Sequence, residues 1–288
     1  MYDCSLYDYD ITTLKVIGID EHKKIKLITM NAIKKSGMDI EINDKQLEYV
    51  EKNSVNDEKL KNNITRAKRN IYELAFCNQW DYFVTLTLNK ELYNREDLDK
   101  YHKDLTQFFR DYKKKYGCKI DFLLIPELHK DRKSWHIHGL IKGIPQDKLK
   151  QFKVGDKMGK GIAIKVKMGD VVYNWQDYQN KFGFCDLEPI KNHEAVAKYI
   201  TKYITKDLGN TVDELGAHLY YHSRNLNKAV QIKKGTMLIY IEPDYVGEYC
   251  KIKELPYSDE LLNYLSSNII TENIDVYHKK TDILMKNI

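Results

Sequence analysis

Between Trp135 and Lys142 the chain reads Trp-His-Ile-His-Gly-Leu-Ile-Lys. Side chains of a β-strand alternate between its two faces. As a strand, this run projects His136 and His138 from one face and sends Trp135, Ile137 and Ile141 into whatever packs behind. Two imidazoles side by side on a rigid strand are half of a metal site. A sheet that carries them must bury one face and leave the other accessible.

The neighbouring segments supply that sheet. Lys119 to Leu128 reads as a strand with Pro126 at its end or at an edge, because proline cannot donate to a ladder. The polar stretch Lys130 to Ser134 then predicts a hairpin into the histidine strand. If the turn centres near Arg132, Glu127 comes to lie beside His136 or His138. Upstream, Trp80 to Leu88 is rich in β-branched and aromatic residues. Val84, Leu86 and Leu88 share one of its faces; Phe83, Thr85 and Thr87 share the other. Glu96 to Tyr116 carries a helical stripe of Leu98, Tyr101, Leu105, Phe108, Phe109 and Tyr112, and Gly117 stops it. This β-α-β-β order predicts an α+β fold: an antiparallel, ferredoxin-like sheet of about five strands, helices packed on one face, and a metal site on the open face.

The flanks say less. Leu14 to Ile19 and Lys24 to Met30 suggest short strands, and Glu58 to Cys77 a helix with Leu60, Ile64, Ala67, Ile71, Leu74 and Ala75 along one side. Ile162 to Lys167 alternates apolar and basic residues, which predicts a half-buried strand, and Cys185 to Ile190 predicts another. His193 to Leu208 has helical spacing. His218 and His222 stand four apart, as on a helix, and Leu261 to Ile288 reads as a polar tail. The expected organisation is an extension over 1–57, a central domain over 58–210 and a second extension over 211–288.

Charge and cysteines narrow the class. The net charge of +5 is mildly basic, which favours a nucleic-acid partner weakly. Lysines crowd the middle of the chain, at Lys113 to Lys115 and from Lys148 through Lys167. The five cysteines are scattered with no C-x-x-C pair, so reduced thiols and a cytoplasmic location are expected. No run approaches the roughly 20 apolar residues of a membrane span, and the first ten residues have no signal-peptide core.

Two constellations could carry chemistry. His136, His138 and Glu127, with His129 as a rival ligand, offer mixed nitrogen and oxygen donors that suit Mn²⁺, or Mg²⁺ by availability. A closed structural zinc site would need a fourth ligand that the cysteines are badly placed to give. Later, Lys198-Tyr199-Ile200-Thr201-Lys202-Tyr203-Ile204-Thr205-Lys206 puts Tyr199 and Tyr203 on one helix face, each followed three residues on by a lysine, Lys202 and Lys206. A free phenol has a pKa of roughly 10, and nearby ammonium groups favour the phenolate nucleophile. With 22 tyrosines in the chain, a half-buried amphipathic helix is the plainer alternative. Trp175, Tyr178, Phe182 and Tyr82 could stack bases or could equally be core.

Phe83-Val84-Thr85-Leu86-Thr87, then Glu127 and His136-Ile137-His138, then Tyr199-x-x-x-Tyr203 with its lysines, resembles the HUH endonucleases. The similarity is greatest to rolling-circle replication initiators of the microvirus and filamentous-phage gene II types, and it covers about Asn70 to Leu208. It implies a divalent metal on His136, His138 and Glu127, and nicking and rejoining of single-stranded or hairpin origin DNA through a 5′-phosphotyrosine. It leaves open which tyrosine attacks first, with Tyr203 marginally preferred, and whether one of them only packs. Lacking a helicase motif, such a protein would rely on a host helicase and polymerase. A transposase or relaxase with the same chemistry, a non-catalytic nucleic-acid-binding module and a structural zinc protein are the rival readings.

Overall fold

The computed structural model describes residues 11–30, 57–129, 131, 133–204, 218–247 and 250–271. In chain order the first elements are β1 (Ile11–Ile17), β2 (Lys24–Met30), α1 (Asp57–Phe76), β3 (Tyr82–Thr87), α2 (Leu98–Tyr116), β4 (Asp121–Leu128) and β5 (Trp135–Lys142). Then follow β6 (Leu149–Gln151), α3 (Lys160–Lys167), β7 (Tyr173–Trp175), α4 (Gln176–Lys181), β8 (Cys185–Pro189) and α5 (His193–Ile200). The last are β9 (Tyr221–His222), β10 (Val230–Met237), β11 (Tyr245–Val246), β12 (Cys250–Pro256), α6 (Asp259–Ser267) and β13 (Ile269–Ile270). They divide into two compact units, residues 50–227 and residues 1–49 with 228–288.

The 50–227 unit is built on an antiparallel sheet of seven strands in the order β6-β7-β8-β3-β5-β4-β9. It is α+β, as the sequence predicts. Four of the expected strands are present as β3, β4, β5 and β8, and the three not foreseen, β6, β7 and β9, are two or three residues long, too short to show a period. On one face Tyr82, Val84, Leu86, Ile137, Ile141, Leu124 and Leu187 pack against the stripe of α2, against Tyr178 of α4 and against Phe182, which follows α4. Helix α2 ends at Gly117 as its sequence suggests, and Asp97 caps its start. The Asp97 side chain accepts from Lys100 N at 2.9 Å, and Gly117 takes φ 67°. Trp175, Tyr178 and Phe182 are fully buried here. They are core, not base-stacking platforms, and burial of each such side chain contributes about 1.5–3 kcal/mol. Tyr82 is buried too, its hydroxyl donating to Gln146 Oε1 at 2.8 Å.

The opposite face is apolar at one end and polar at the other. Leu123, Ile125 and Leu140 have no exposure. Helices α1 and α5 pack on each other and reach β4 and β5, so helices cover part of this face as well as the other. The polar end carries the histidines.

Several local expectations give way. Residues 162–167 form α3, not a strand. They have no ladder partner, and Met168 N closes the turn on Ile164 O at 3.0 Å. His218 and His222 share no helix, because Tyr221 and His222 pair with β4. The tyrosine helix ends at Ile200 and tightens into a 3-10 turn over Thr201–Tyr203. Its expected continuation to Leu208 lies outside the described residues.

In the other unit, β1, β2 and β10 to β13 make a second antiparallel sheet, in the order β11-β12-β2-β1-β10-β13. The two flanks therefore contribute to one sheet, while β9 pairs with β4 in the histidine-bearing unit. The supposed polar tail supplies α6, capped by Ser258 and anchored by Leu265 and Ile269 in a core with Leu14, Ile25 and Leu27. Among the described residues no helix is long and apolar enough to cross a membrane, and Cys118, Cys185 and Cys250 are free thiols.

Gly139 lets β5 sit close on β4. A Cβ there would meet Leu123 O at 2.5 Å and Leu124 Cδ2 at 2.5 Å. Gly139→Ala is therefore expected to cost roughly 1–3 kcal/mol, as overpacking does, read from urea unfolding. An unchanged midpoint would contradict this packing.

Candidate active site

Three cross-strand rows build the histidine face. Thr87 lies opposite His136, which lies opposite Glu127. In the next row Asp186 pairs with Thr85, Thr85 with His138 and His138 with Ile125. The third runs Glu188, Phe83, Leu140, Leu123. Period-2 alternation puts all of these on one side of the sheet.

The two histidines are held differently. His136 Nδ1 is 3.1 Å from Thr87 Oγ1, which fixes the ring. Its Nε2 is buried without a hydrogen-bond partner. Burial, with the neighbouring His129, His138 and Arg95, pulls its pKa down to about 4, so the ring is neutral at pH 7. His138 Nε2 lies 2.7 Å from Glu127 Oε2, and its buried Nδ1 has no partner. The hydrogen bond to His138 holds the Glu127 carboxyl below its usual range, against the opposing effect of burial. The His129 ring stacks on His136 at 4.9 Å, while its Nδ1 lies 3.6 Å from Asp131 Oδ2.

Those donors fit a divalent cation in kind: imidazole nitrogens left without partners, and an ionised carboxylate. In position they do not form a ready cage. Glu127 uses an oxygen on His138, and among the described residues no three His, Cys, Asp or Glu side chains converge as metal ligands.

The tyrosines lie over this face. The Tyr203 ring stacks on His138 at 4.1 Å and on Phe83 at 6.0 Å; Tyr199 meets Phe83 edge-on at 5.4 Å. Tyr203 Oη donates to Tyr199 Oη at 3.2 Å. Lys202 Nζ stands 3.5 Å from the Tyr199 ring centre and 4.9 Å from that of Tyr203. Burial raises the Tyr199 pKa, but hydrogen bonds from Lys202 and Tyr203 and the charges of Lys202 and Lys165 outweigh it, and the phenol lies below its ordinary value. Burial and the bond to Tyr199 push Tyr203 the other way. Lys206 lies outside the described residues.

Sequence reasoning missed Asp186 and Glu188. The alternation in Cys185-Asp186-Leu187-Glu188 was the signal, since it sends both carboxylates to the histidine face. Burial, reinforced by Glu188, raises the Asp186 pKa to about 6 despite a hydrogen bond from Thr85 and the charges of Lys165 and His138. Glu188 Oε1 takes Lys165 Nζ at 2.6 Å.

Residues 81–208 match the family of replication-associated proteins of the ORF2 and gene II protein type. No curated protein and no solved structure gives a significant match. The matched segment runs from the start of β3 past both tyrosines, so all three motifs fall inside it. It agrees with the resemblance to phage-type rolling-circle initiators read from those motifs.

The Asp186 shift sets a sign. A carboxyl whose pKa is higher folded than unfolded stabilises the fold at low pH and loses that contribution as pH rises through the folded value. In protein stripped of metal by chelator, the melting temperature of Asp186→Asn relative to wild type should climb from about pH 4 to pH 7, then level off. A difference independent of pH would show that Asp186 titrates normally.

Proposed function

We propose that this protein nicks and rejoins single-stranded DNA at a replication origin through tyrosine transesterification. The stacking of Tyr203 on His138, with Tyr199 hydrogen-bonded beside it, carries the reading. It sets a cation-flanked phenol pair over a row of imidazoles and carboxylates, where a phosphodiester can reach both. A non-catalytic binding module has no need of that pairing.

In this reading the Tyr199 oxygen attacks phosphorus, the bond from phosphorus to the 3′-oxygen breaks, and the 5′ end stays on the protein as a phosphotyrosine. The phenol gives up one proton and the released 3′-oxygen takes one, so no proton is consumed. One phosphodiester replaces another, which lets the reversal rejoin DNA without a nucleotide cofactor. Tyr199 takes precedence over Tyr203 because it accepts the hydrogen bond between them, lies nearer Lys202, and is 46% exposed. Tyr203 orients it and can serve in a second cleavage, and in sequence Lys206 follows it by three residues as Lys202 follows Tyr199. A divalent cation, Mn²⁺ or Mg²⁺, held by His136, His138 and Glu127, would supply positive charge to the phosphate oxygens. The released 3′-hydroxyl would prime a host polymerase, and a host helicase would open the duplex in the cytoplasm. Transposases and relaxases of this chemistry differ in biology, not in the site.

Full-length protein incubated with Mn²⁺ and single-stranded origin DNA should give a covalent adduct on a denaturing gel. Tyr199→Phe should reduce initial adduct formation roughly a hundredfold or more, as loss of a nucleophile does. Tyr203→Phe should reduce it far less. An adduct that survives the double substitution rules out both phenols. Thr87→Val frees the His136 ring and should weaken Mn²⁺ binding about tenfold or more by calorimetric titration, as outer-shell changes do. Unaltered binding would remove His136 from the cation site.

A further inference from the structure

Between β6 and β7, cations without carboxylate partners and exposed apolar side chains occur together. Val154, Ile164 and Met168 are 69%, 58% and 79% exposed. The carboxylates nearby are already engaged. Asp170 Oδ1 pairs with Lys191 Nζ at 2.9 Å, Glu188 with Lys165, and Asp156 Oδ2 accepts from Lys153 N at 2.9 Å. Among the described residues, the ammonium groups of Lys153, Lys157, Lys160 and Lys167 pair with no carboxylate.

Helix α3 has two unlike sides. Lys160, Ile164, Lys167 and the adjoining Met168 fall on one side by three- and four-residue steps, and all are exposed. Of the rest of the helix, Ile162, Ala163, Lys165 and Val166 are half-buried. This inner side is tied to the tyrosine site, because Lys165 bonds Glu188, Glu188 pairs across the sheet with Phe83, and the Phe83 ring touches both tyrosines. The outer side, about 12 Å long at 1.5 Å per residue, is thus the exposed face of a helix anchored to that site by its inner side.

Cations alone would suit any polyanion, and apolar groups alone would suit a protein. Side by side, on a helix whose other side is tied to the phenol site, they match a single strand of nucleic acid, which offers phosphates and unstacked base faces together. A duplex hides its base faces in the stack. We propose that Lys160, Ile164, Lys167 and Met168 bind the single-stranded DNA flanking the scissile bond, the lysines on phosphates and the apolar pair against bases. This rests on the nicking reading and extends it to a strand-holding surface.

The test uses the full chain and oligothymidylate of about 30 nucleotides, longer than the roughly 4–16 that one binding face covers. Affinity is measured by fluorescence anisotropy across a salt series. In Lys160→Gln/Lys167→Gln the slope of log K against log salt should flatten by about 1.4, from two lost phosphate contacts at about 0.7 each. Ile164→Ser/Met168→Ser should weaken binding severalfold with the slope unchanged. Lys113→Gln/Lys114→Gln on α2 removes the same charge elsewhere and should leave both quantities at wild-type values. Wild-type behaviour in the α3 variants, or an equal loss in the α2 control, overturns the proposal. The adduct assay separates the two readings. An adduct from wild type with unaltered binding in the α3 variants defeats only the surface, whereas α3-dependent binding with no adduct from wild type defeats only the nicking.

Discussion

The register of four strands governs everything the histidine face can do. Side chains on a strand have a period of two, so a slip of one residue in β5 would turn both imidazoles into the α2 core and bring Ile137 and Gly139 to the surface. The observed register aligns Thr87, His136 and Glu127 in one row, and Asp186, Thr85 and His138 in the next. Gly139 matters to this alignment, because it follows His138 directly and lets β5 approach the β4 backbone at Leu123 and Leu124. Ile137 and Ile141, both without exposure, fix which side faces inward.

The same alternation explains where the tyrosines come to rest. Leu123, Ile125 and Leu140 share the histidine face and must be kept from water, and α5 with α1 does this. Ala197, Ile200 and Ile204 are the fully buried residues of that segment. Tyr199 and Tyr203 then have little choice. With Ile200 and Ile204 turned inward, the phenols run along the edge of the covered region and land on Phe83 and His138. Burial of the apolar end of the face thus positions the polar end's chemistry, and the packing requirement and the catalytic proposal draw on the same helix.

Much of this was legible in the sequence because the responsible signals are local. The strand at Trp135 to Lys142, the hairpin that brings Glu127 beside the histidines, and the α2 stripe with its glycine stop each depend on alternation or helical spacing within a short window. What escaped depends on distant partners. Residues 162–167 alternate like a strand, yet no neighbouring strand pairs with them, and an unpaired segment gains more from its own helical hydrogen bonds. The short strands β6 and β9 exist only because an edge is there to receive them. Helix α6 looks like part of a polar tail until Leu265 and Ile269 find the core formed by Leu14, Ile25 and Leu27. Asp186 was readable as a face assignment, but its burial was not, since that follows from what packs around β8.

Like groups made unlike by their surroundings can divide acid and base roles between them. This face holds two such pairs. Glu127, beside His138, is held in its ionised form, whereas Asp186, buried beside Glu188, has a pKa of about 6. Tyr199, facing Lys202 and accepting from Tyr203, is eased toward the phenolate, whereas Tyr203, donating to it from a more buried place against His138, keeps its proton. A sheet built only to hold its fold gains nothing from separating the members of each pair. A metal-assisted transesterase would use all four: an ionised carboxylate to hold the cation, a protonatable one within the same face, a phenol ready to attack, and a second phenol to steer the first.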